Sequence, residues 1–243
     1  MVRRSERRWS GASSTRRSAS GAEDEVSSIG EDGISIDDRE WLPREGRRAL
    51  SRAGIAEQNR VLLRRYRDFR RAADAVVASW RHRAEVMAVA LIGSIAAAPW
   101  QEVPRFAPYR RARIALWHEC KDLDLAVWLS HLRDLDGLRR AKDRALRDHY
   151  ARTGTGVASH QIDVFVLEPG TDRYLGRLCQ FNRCPKGKPE CLVTGCGAAA
   201  FLRQHEGFQW QPQALAEDRA VRLFDRDTGQ TRRAADLPLP DES

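Results

Sequence analysis

The chain has 243 residues and a formal net charge of +8, with an isoelectric point near 9.7. That length suits one domain with an appendage, or two small domains, and it can bury a sizeable core. No apolar run reaches about 18 residues, so neither a membrane span nor a membrane partner is expected. The basic start Met1-Val2-Arg3-Arg4 is followed by no apolar segment, so a cytoplasmic location is expected rather than a secretory signal. The arginine excess suits a polyanionic partner, either nucleic acid or nucleotide phosphates. An arginine-rich chain from a GC-rich genome would show the same balance.

Residues 1–40 read as a disordered tail, rich in arginine, serine, glycine and acids. Its arginines come first and its acids, from Glu23 to Glu40, come second. Residues 41–54 read as a linker with a short helix. A long helix is predicted over 56–83, where Val61, Leu62, Arg65, Phe69, Ala72, Ala73, Val76, Val77 and Trp80 fall near helical spacing. Its other face carries Arg60, Arg64, Arg67, Arg71 and Arg81, which reads either as a solvated surface or as a grip on a nucleic-acid backbone.

A strand is predicted over 85–92, apolar almost throughout, as a strand covered on both faces should be. Gly93-Ser94 follows: glycine permits a tight turn, and Ser94 is expected to cap a helix starting at Ile95 whose free N–H groups attract phosphate. The segment to Glu119 is broken by Pro99, Pro104 and Pro108 and made basic by Arg105, Arg110, Arg111 and Arg113. Residues 114–118 are expected to extend the next strand backwards. That strand, over 121–129, holds Asp122 and Asp124. Positions i and i+2 of a strand point the same way, and a rise of roughly 3.3 Å per residue sets their Cα atoms about 6.6 Å apart. A helix is predicted over 130–152, with Leu132, Leu135, Leu138, Ala141, Ala145 and Leu146 buried and Arg139, Arg140, Lys142 and Arg144 exposed. A third strand over 160–167 holds Asp163 between Ile162 and Val164, and Glu168-Pro169-Gly170 ends it in a turn. Were these strands neighbours, three carboxylates would meet. Their repulsion is relieved by protonation or by a cation, and carboxylate oxygens are natural ligands of Mg²⁺. The plain alternative is an edge strand with its acids in water.

An apolar strand, Gly-Ser, an acid-apolar-acid strand and a third acid in a later strand, in that order, resemble the nucleotidyltransferase superfamily, the DNA polymerase beta-like group. The likeness covers roughly 84–168. It implies an α/β (α+β) fold, a mixed sheet packed by helices, with a helix before the first strand. It implies that Gly93 and Ser94 hold a nucleoside triphosphate, that Asp122 and Asp124 bind Mg²⁺, and that Asp163 is a third ligand or the base that helps activate an acceptor hydroxyl. The implied activity is transfer of a nucleoside monophosphate to an acceptor, whether nucleic acid, protein or small molecule. A binding module that kept the fold and lost the chemistry, antitoxin-like or nucleic-acid-binding, is the rival. The segment 95–121 is longer than in compact members of the group.

The domain reading is a tail over 1–40, a nucleotidyltransferase-like domain over 41–170, a cysteine-rich appendage over 171–229 and a loose tail over 230–243. Within the appendage Cys179, Cys184, Cys191 and Cys196 follow C-x4-C-x6-C-x4-C. In a cytosolic protein such a cluster suggests a structural Zn²⁺, with His205 as a substitute ligand. Four reduced cysteines in a small core, or a redox or metal sensor, are the other readings. Lys186 and Lys188 would give the segment a basic tip. Phe201, Leu202, Phe208 and Trp210 are expected to anchor it on the main domain, and 221–225 to form a late strand ending in a turn at Asp225-Arg226-Asp227.

Overall fold

In the computed structural model, residues 51–183, 193 and 195–240 are described. The expectations for 1–50, and those for Cys184, Cys191, Lys186 and Lys188, fall outside them. The first element is α1 (Arg52–Trp80), which starts ahead of the predicted position because Ser51 caps it, its hydroxyl accepting from Gly54 N at 3.0 Å. Its buried stripe runs through Leu62, Leu63, Tyr66, Phe69, Ala72, Ala73, Val76, Val77 and Trp80. The sequence reading of that face needs one correction. Val61 is exposed and Arg65 is on the surface beside Glu119, while Arg70 is the buried arginine.

The sheet is built from β1 (Val86–Ile92), β4 (Leu123–Leu129), β5 (Ile162–Leu167), β6 (Tyr174–Leu178), β7 (Leu202–Arg203) and β8 (Ala220–Asp225). They lie in the order β7-β6-β5-β4-β1-β8. Only β4 and β5 are parallel; every other neighbouring pair is antiparallel. A parallel pair needs a crossover, supplied by α3 (Leu135–Thr153). The architecture is therefore α+β: a six-stranded mixed sheet with helices. The late strand expected over 221–225 is β8, and it becomes the edge beside β1.

The two faces of the sheet are covered differently. Val89, Leu91, Leu123, Leu125, Val127, Val164 and Val166 meet α1 and α3, and Trp80 Nε1 ties the helices by donating to Leu138 O at 3.0 Å. The opposite face carries Ala88, Ala90, Ile92, Ala126, Trp128, Phe165 and Leu167, covered by Tyr174, Phe208, Trp210 and Leu215. Phe208 and Trp210 thus anchor their segment as expected. Burial on both faces explains why β1, β4 and β5 read as continuous apolar runs. Each fully buried large side chain contributes roughly 1.5–3 kcal/mol.

Four local expectations are corrected. No α-helix follows Gly93-Ser94; a single 3₁₀ turn, Gly93–Ile95, takes its place, and Ser94 caps nothing. Residues 114–118 do not extend β4. Leu116–Trp117 (β3) pairs instead with Gln101–Glu102 (β2) in a separate two-stranded sheet, with the short helix α2 (Ala107–Ala112) between them. The helix expected from 130 starts at Leu135 because Asp134 caps it, accepting from Gly137 N at 3.0 Å. Lys142, expected in solvent, is 4 % exposed and donates to Ser159 O at 2.9 Å.

Residues 230–240, expected as a tail, are tied to α1. Asp74 accepts from Ala234 N and Ala235 N at 2.6 and 3.1 Å, and Arg70 donates to Leu237 O and Pro238 O at 2.9 and 3.2 Å. Ala234 is fully buried. No helix among the described residues is long and apolar enough to cross a membrane.

Candidate functional site

Because β4 and β5 are parallel and β1 runs antiparallel to β4, the end of β1 meets the beginnings of β4 and β5 at one end of the central strands. The register is specific: Ile92 faces Asp124, and Asp124 faces Asp163. Three segments far apart in sequence therefore deliver Gly93, Asp124 and Asp163 to one place. Asp124 and Asp163 belong to the face that α1 and α3 leave uncovered, since alternation along their strands puts them with Ala126 and Phe165. Asp122 lies just before β4 and is exposed, while Asp124 and Asp163 are half-buried.

Gly93 is needed where it stands. Its φ is +72°, and a Cβ there would lie 2.7 Å from Asp124 Oδ2. The backbone thus comes close enough to Asp124 that only a hydrogen fits. Ser94 is turned into the protein: its carbonyl accepts from Tyr66 Oη at 2.9 Å, and its hydroxyl is bonded to the Cys120 thiol. Arg70 steadies the same turn, donating to Ile95 O and Ala97 O at 3.2 and 3.3 Å. Burial raises the pKa of Cys120 and of Tyr66, so both stay protonated and neutral near pH 7.

The electrostatics of the acids follow from their placement. Burial, then the charge of Asp163, push the Asp124 carboxyl up to about 6; Asp122 adds to the rise and Arg177 opposes it. Arg177, on β6, donates from Nη1 to Asp163 Oδ2 at 2.8 Å. Its guanidinium lies 4.5 Å from the Phe165 ring centroid and 5.0 Å from that of Phe208. Lys142 is near enough for Asp163 to act on it, and burial lowers its pKa despite Asp143 and Asp163.

Oxygen donors of this kind suit a hard divalent cation. Repulsion between Asp124 and Asp163, expressed in the raised Asp124 pKa, is what such a cation relieves. Among the described residues, however, no three His, Cys, Asp or Glu side chains are gathered as a metal cage.

Sequence reasoning missed Arg177, Tyr66, Arg70 and Lys142. Arg177 sits in Tyr174-Leu-Gly-Arg-Leu178, a stretch with no motif. Its partner is set by cross-strand register, Phe165 facing Arg177. The arginines of the 95–121 segment make no hydrogen bond or ion pair to the three acids among the described residues. His118 packs: its ring stacks on Trp100 at 4.2 Å and its Nδ1 is 3.1 Å from Glu102 Oε1.

Of the four clustered cysteines, Cys179 and Cys196 are described and half-buried. Cys179 N donates to Phe201 O at 2.7 Å, which joins that segment to the edge of β6, and Cys196 N donates to Val193 O at 3.1 Å. Comparisons with protein-family models, with curated proteins and with solved structures returned no match to this chain.

Proposed function

We propose that the chain is a Mg²⁺-dependent nucleotidyltransferase with a nucleotidyltransferase-like fold, which moves a nucleoside monophosphate from a nucleoside triphosphate to an acceptor hydroxyl. The observation that carries this reading is the register of Asp124 against Asp163 in a parallel pair, with Gly93 closed onto Asp124. Gly93, Asp124 and Asp163, one from each part of the resemblance, lie at the same end of the central strands, which supports it.

In this reading Asp122 and Asp124 would hold Mg²⁺, and Asp163 would be either a third oxygen ligand or the base for the acceptor hydroxyl. The bound cation supplies positive charge to the phosphate oxygens as charge develops on them. The chain's own residues do the positioning. Gly93 lets the phosphates approach the backbone. Tyr66, Cys120 and Arg70 hold the Gly93–Ile95 turn in place. As the base, Asp163, steadied by Arg177, would take up the acceptor's proton. A bond forms between the acceptor oxygen and the α-phosphorus, the bond from that phosphorus to pyrophosphate breaks, and the acceptor's proton leaves with the base. Most of the rate enhancement comes from position and charge.

Purified protein with labelled triphosphates and Mg²⁺ should release pyrophosphate in the presence of an acceptor. Asp122→Ala with Asp124→Ala should abolish the release; equal release from the double variant would refute the reading.

One observation favours a catalytically inactive binding module instead: Arg177 already neutralises Asp163. Calorimetry separates the two. Triphosphate binding that needs Mg²⁺ and Asp124 supports the enzyme, and binding indifferent to both supports the module. The cysteine segment is proposed to hold a structural Zn²⁺ through thiolates, which bind it tetrahedrally.

A further inference from the structure

The side of α1 turned away from the sheet carries Arg71, Ala75, Ala78 and Arg81 at helical spacing. In the folded chain these residues are one wall of a groove of about 860 Å³. Its other walls are the end of α3, with His149 and Arg152, and the segment from Gln230 to Arg233. A smaller groove of about 400 Å³ shares Arg71, Arg233 and Asp236 with it, so the two make one channel along α1. Among its lining residues Val77, His149 and Leu223 are buried, while Arg71, Arg81, Arg152, Arg232 and Arg233 are exposed.

Five arginines and two aspartates line the larger part. Asp74 is already taken up by Ala234 N and Ala235 N and lies 3.9 Å from Arg233. Arg71 is 4.0 Å from Asp68. Among the described residues Arg81, Arg152 and Arg232 have no carboxylate within ion-pair distance. The positive field is felt inside the groove. Burial, then Arg152 and, more weakly, Arg71, lower the pKa of His149, with Asp68 opposing.

From this geometry we infer that the groove is a binding site for the phosphate backbone of a nucleic-acid strand. Guanidinium forks match phosphate oxygens, and unpaired ones do so without breaking an internal ion pair. Length favours a strand over a single nucleotide. Arg71 and Arg81 are about 15 Å apart along α1 at 1.5 Å per residue, too far for one phosphate to reach both. No Phe, Tyr or Trp side chain lines the larger groove, and its one imidazole, His149, is 6 % exposed, so bases have little to stack on and binding is blind to sequence. The groove lies on the helical side of the sheet, and Asp124 and Asp163 lie on the other. The site therefore stands apart from the proposed transfer reaction and does not depend on it.

The test uses the full chain and fluorescein-labelled single strands of about 12 nucleotides, in two unrelated sequences, followed by anisotropy between about 50 and 200 mM salt. Both sequences should bind alike. The logarithm of the binding constant should fall against log salt with a slope of about −2 to −3.5, the value for three to five phosphates neutralised. Arg152→Glu with Arg232→Glu, both on the surface, should weaken binding at least about tenfold while the unfolding midpoint stays put. Asp122→Ala with Asp124→Ala should bind as the unaltered chain does, so a failed transfer reaction and a failed groove are read separately. The proposal is overturned if the arginine variant binds as tightly as the original, if the unaltered chain binds neither strand at low salt, or if a free nucleoside triphosphate displaces the strand at equal concentration.

Discussion

Arg177 Nη1 donates to Asp163 Oδ2 at 2.8 Å, so the carboxylate that faces Asp124 across two parallel strands already has a cation of its own. The guanidinium lies beside both Phe165 and Phe208, whose ring centroids are 5.7 Å apart, which fixes its position more firmly than a solvent-exposed ion pair would. Arg177→Gln should lower the unfolding free energy by about 2 kcal/mol, the scale of a hydrogen bond to a charged group. Under the transferase reading it should also lower the Mg²⁺ concentration that half-saturates a thermal shift, because Asp163 is then free. An unchanged Mg²⁺ midpoint would show that Arg177 and the cation do not share Asp163.

Asp124 makes stability depend on pH in a direction that can be assigned. Its carboxyl is pushed up to about 6 by burial and by Asp163, above an unfolded value of about 3.9. The folded chain therefore takes up this proton first as pH falls. The stabilisation it gives is full below about pH 4 and is lost as pH rises through about 6. Asp124→Asn carries no charge to bury. The variant should be the more stable protein at about pH 7.5, by up to about 3 kcal/mol, and the advantage should shrink toward about pH 5. Urea unfolding at three pH values checks this; a gap that does not change with pH would count against a buried charge at Asp124.

Gly93→Ala should be costly for two separable reasons. A φ of +72° costs a side chain about 1–2 kcal/mol, and the new methyl would press on Asp124 Oδ2. In an Asp124→Ala background only the first cost remains. A double-mutant cycle on unfolding free energies should therefore show coupling between the two positions, and additivity would mean that the close approach is not there.

Arg70 is buried and donates to four carbonyls, those of Ile95, Ala97, Leu237 and Pro238. It joins the Gly93–Ile95 turn to the segment after β8. Arg70→Met should cost about 3 kcal/mol or more through unsatisfied buried carbonyls. It should also make the chain after Asp225 sensitive to brief proteolysis while the rest persists. Equal cleavage of variant and parent would remove Arg70 from that role.

The cysteine segment yields a test by metal analysis. Protein purified without chelator should carry one zinc per chain, and Cys179→Ser should lose it along with thermal stability. Zinc near zero in the unaltered protein would leave the thiols as reduced core residues.

The central strands β1, β4 and β5 and the long helices were legible because burial on two faces demands unbroken apolar runs and burial on one face of a helix demands a periodic stripe; β2, β6 and β7 carry no such run. Asp124 and Asp163 stood out because each interrupts such a run, and Asp122 because it stands two residues before Asp124. Helix starts were read less well: Ser51 and Asp134 set them through single side-chain bonds to Gly54 and Gly137. The expected helix after Ser94 failed for a similar reason, since Ser94 spends its polar groups on Tyr66 and Cys120. Lys142 looked like a solvated lysine on the exposed side of α3 until the turn at Ser159 offered it a carbonyl.

The amino-acid order alone determined that the apolar runs ending at Ile92, Leu129 and Leu167 become strands, that Asp124 and Asp163 interrupt two of them, and that Gly93 permits a left-handed turn, because these are matters of local pattern and backbone sterics. The pairing of Asp163 with Arg177, the burial of Arg70 and the gathering of Arg71, Arg81, Arg152 and Arg232 around one groove were decided only by the tertiary structure. Cross-strand register and helix packing set those neighbours, and both are long-range relations that no spacing within a single segment records.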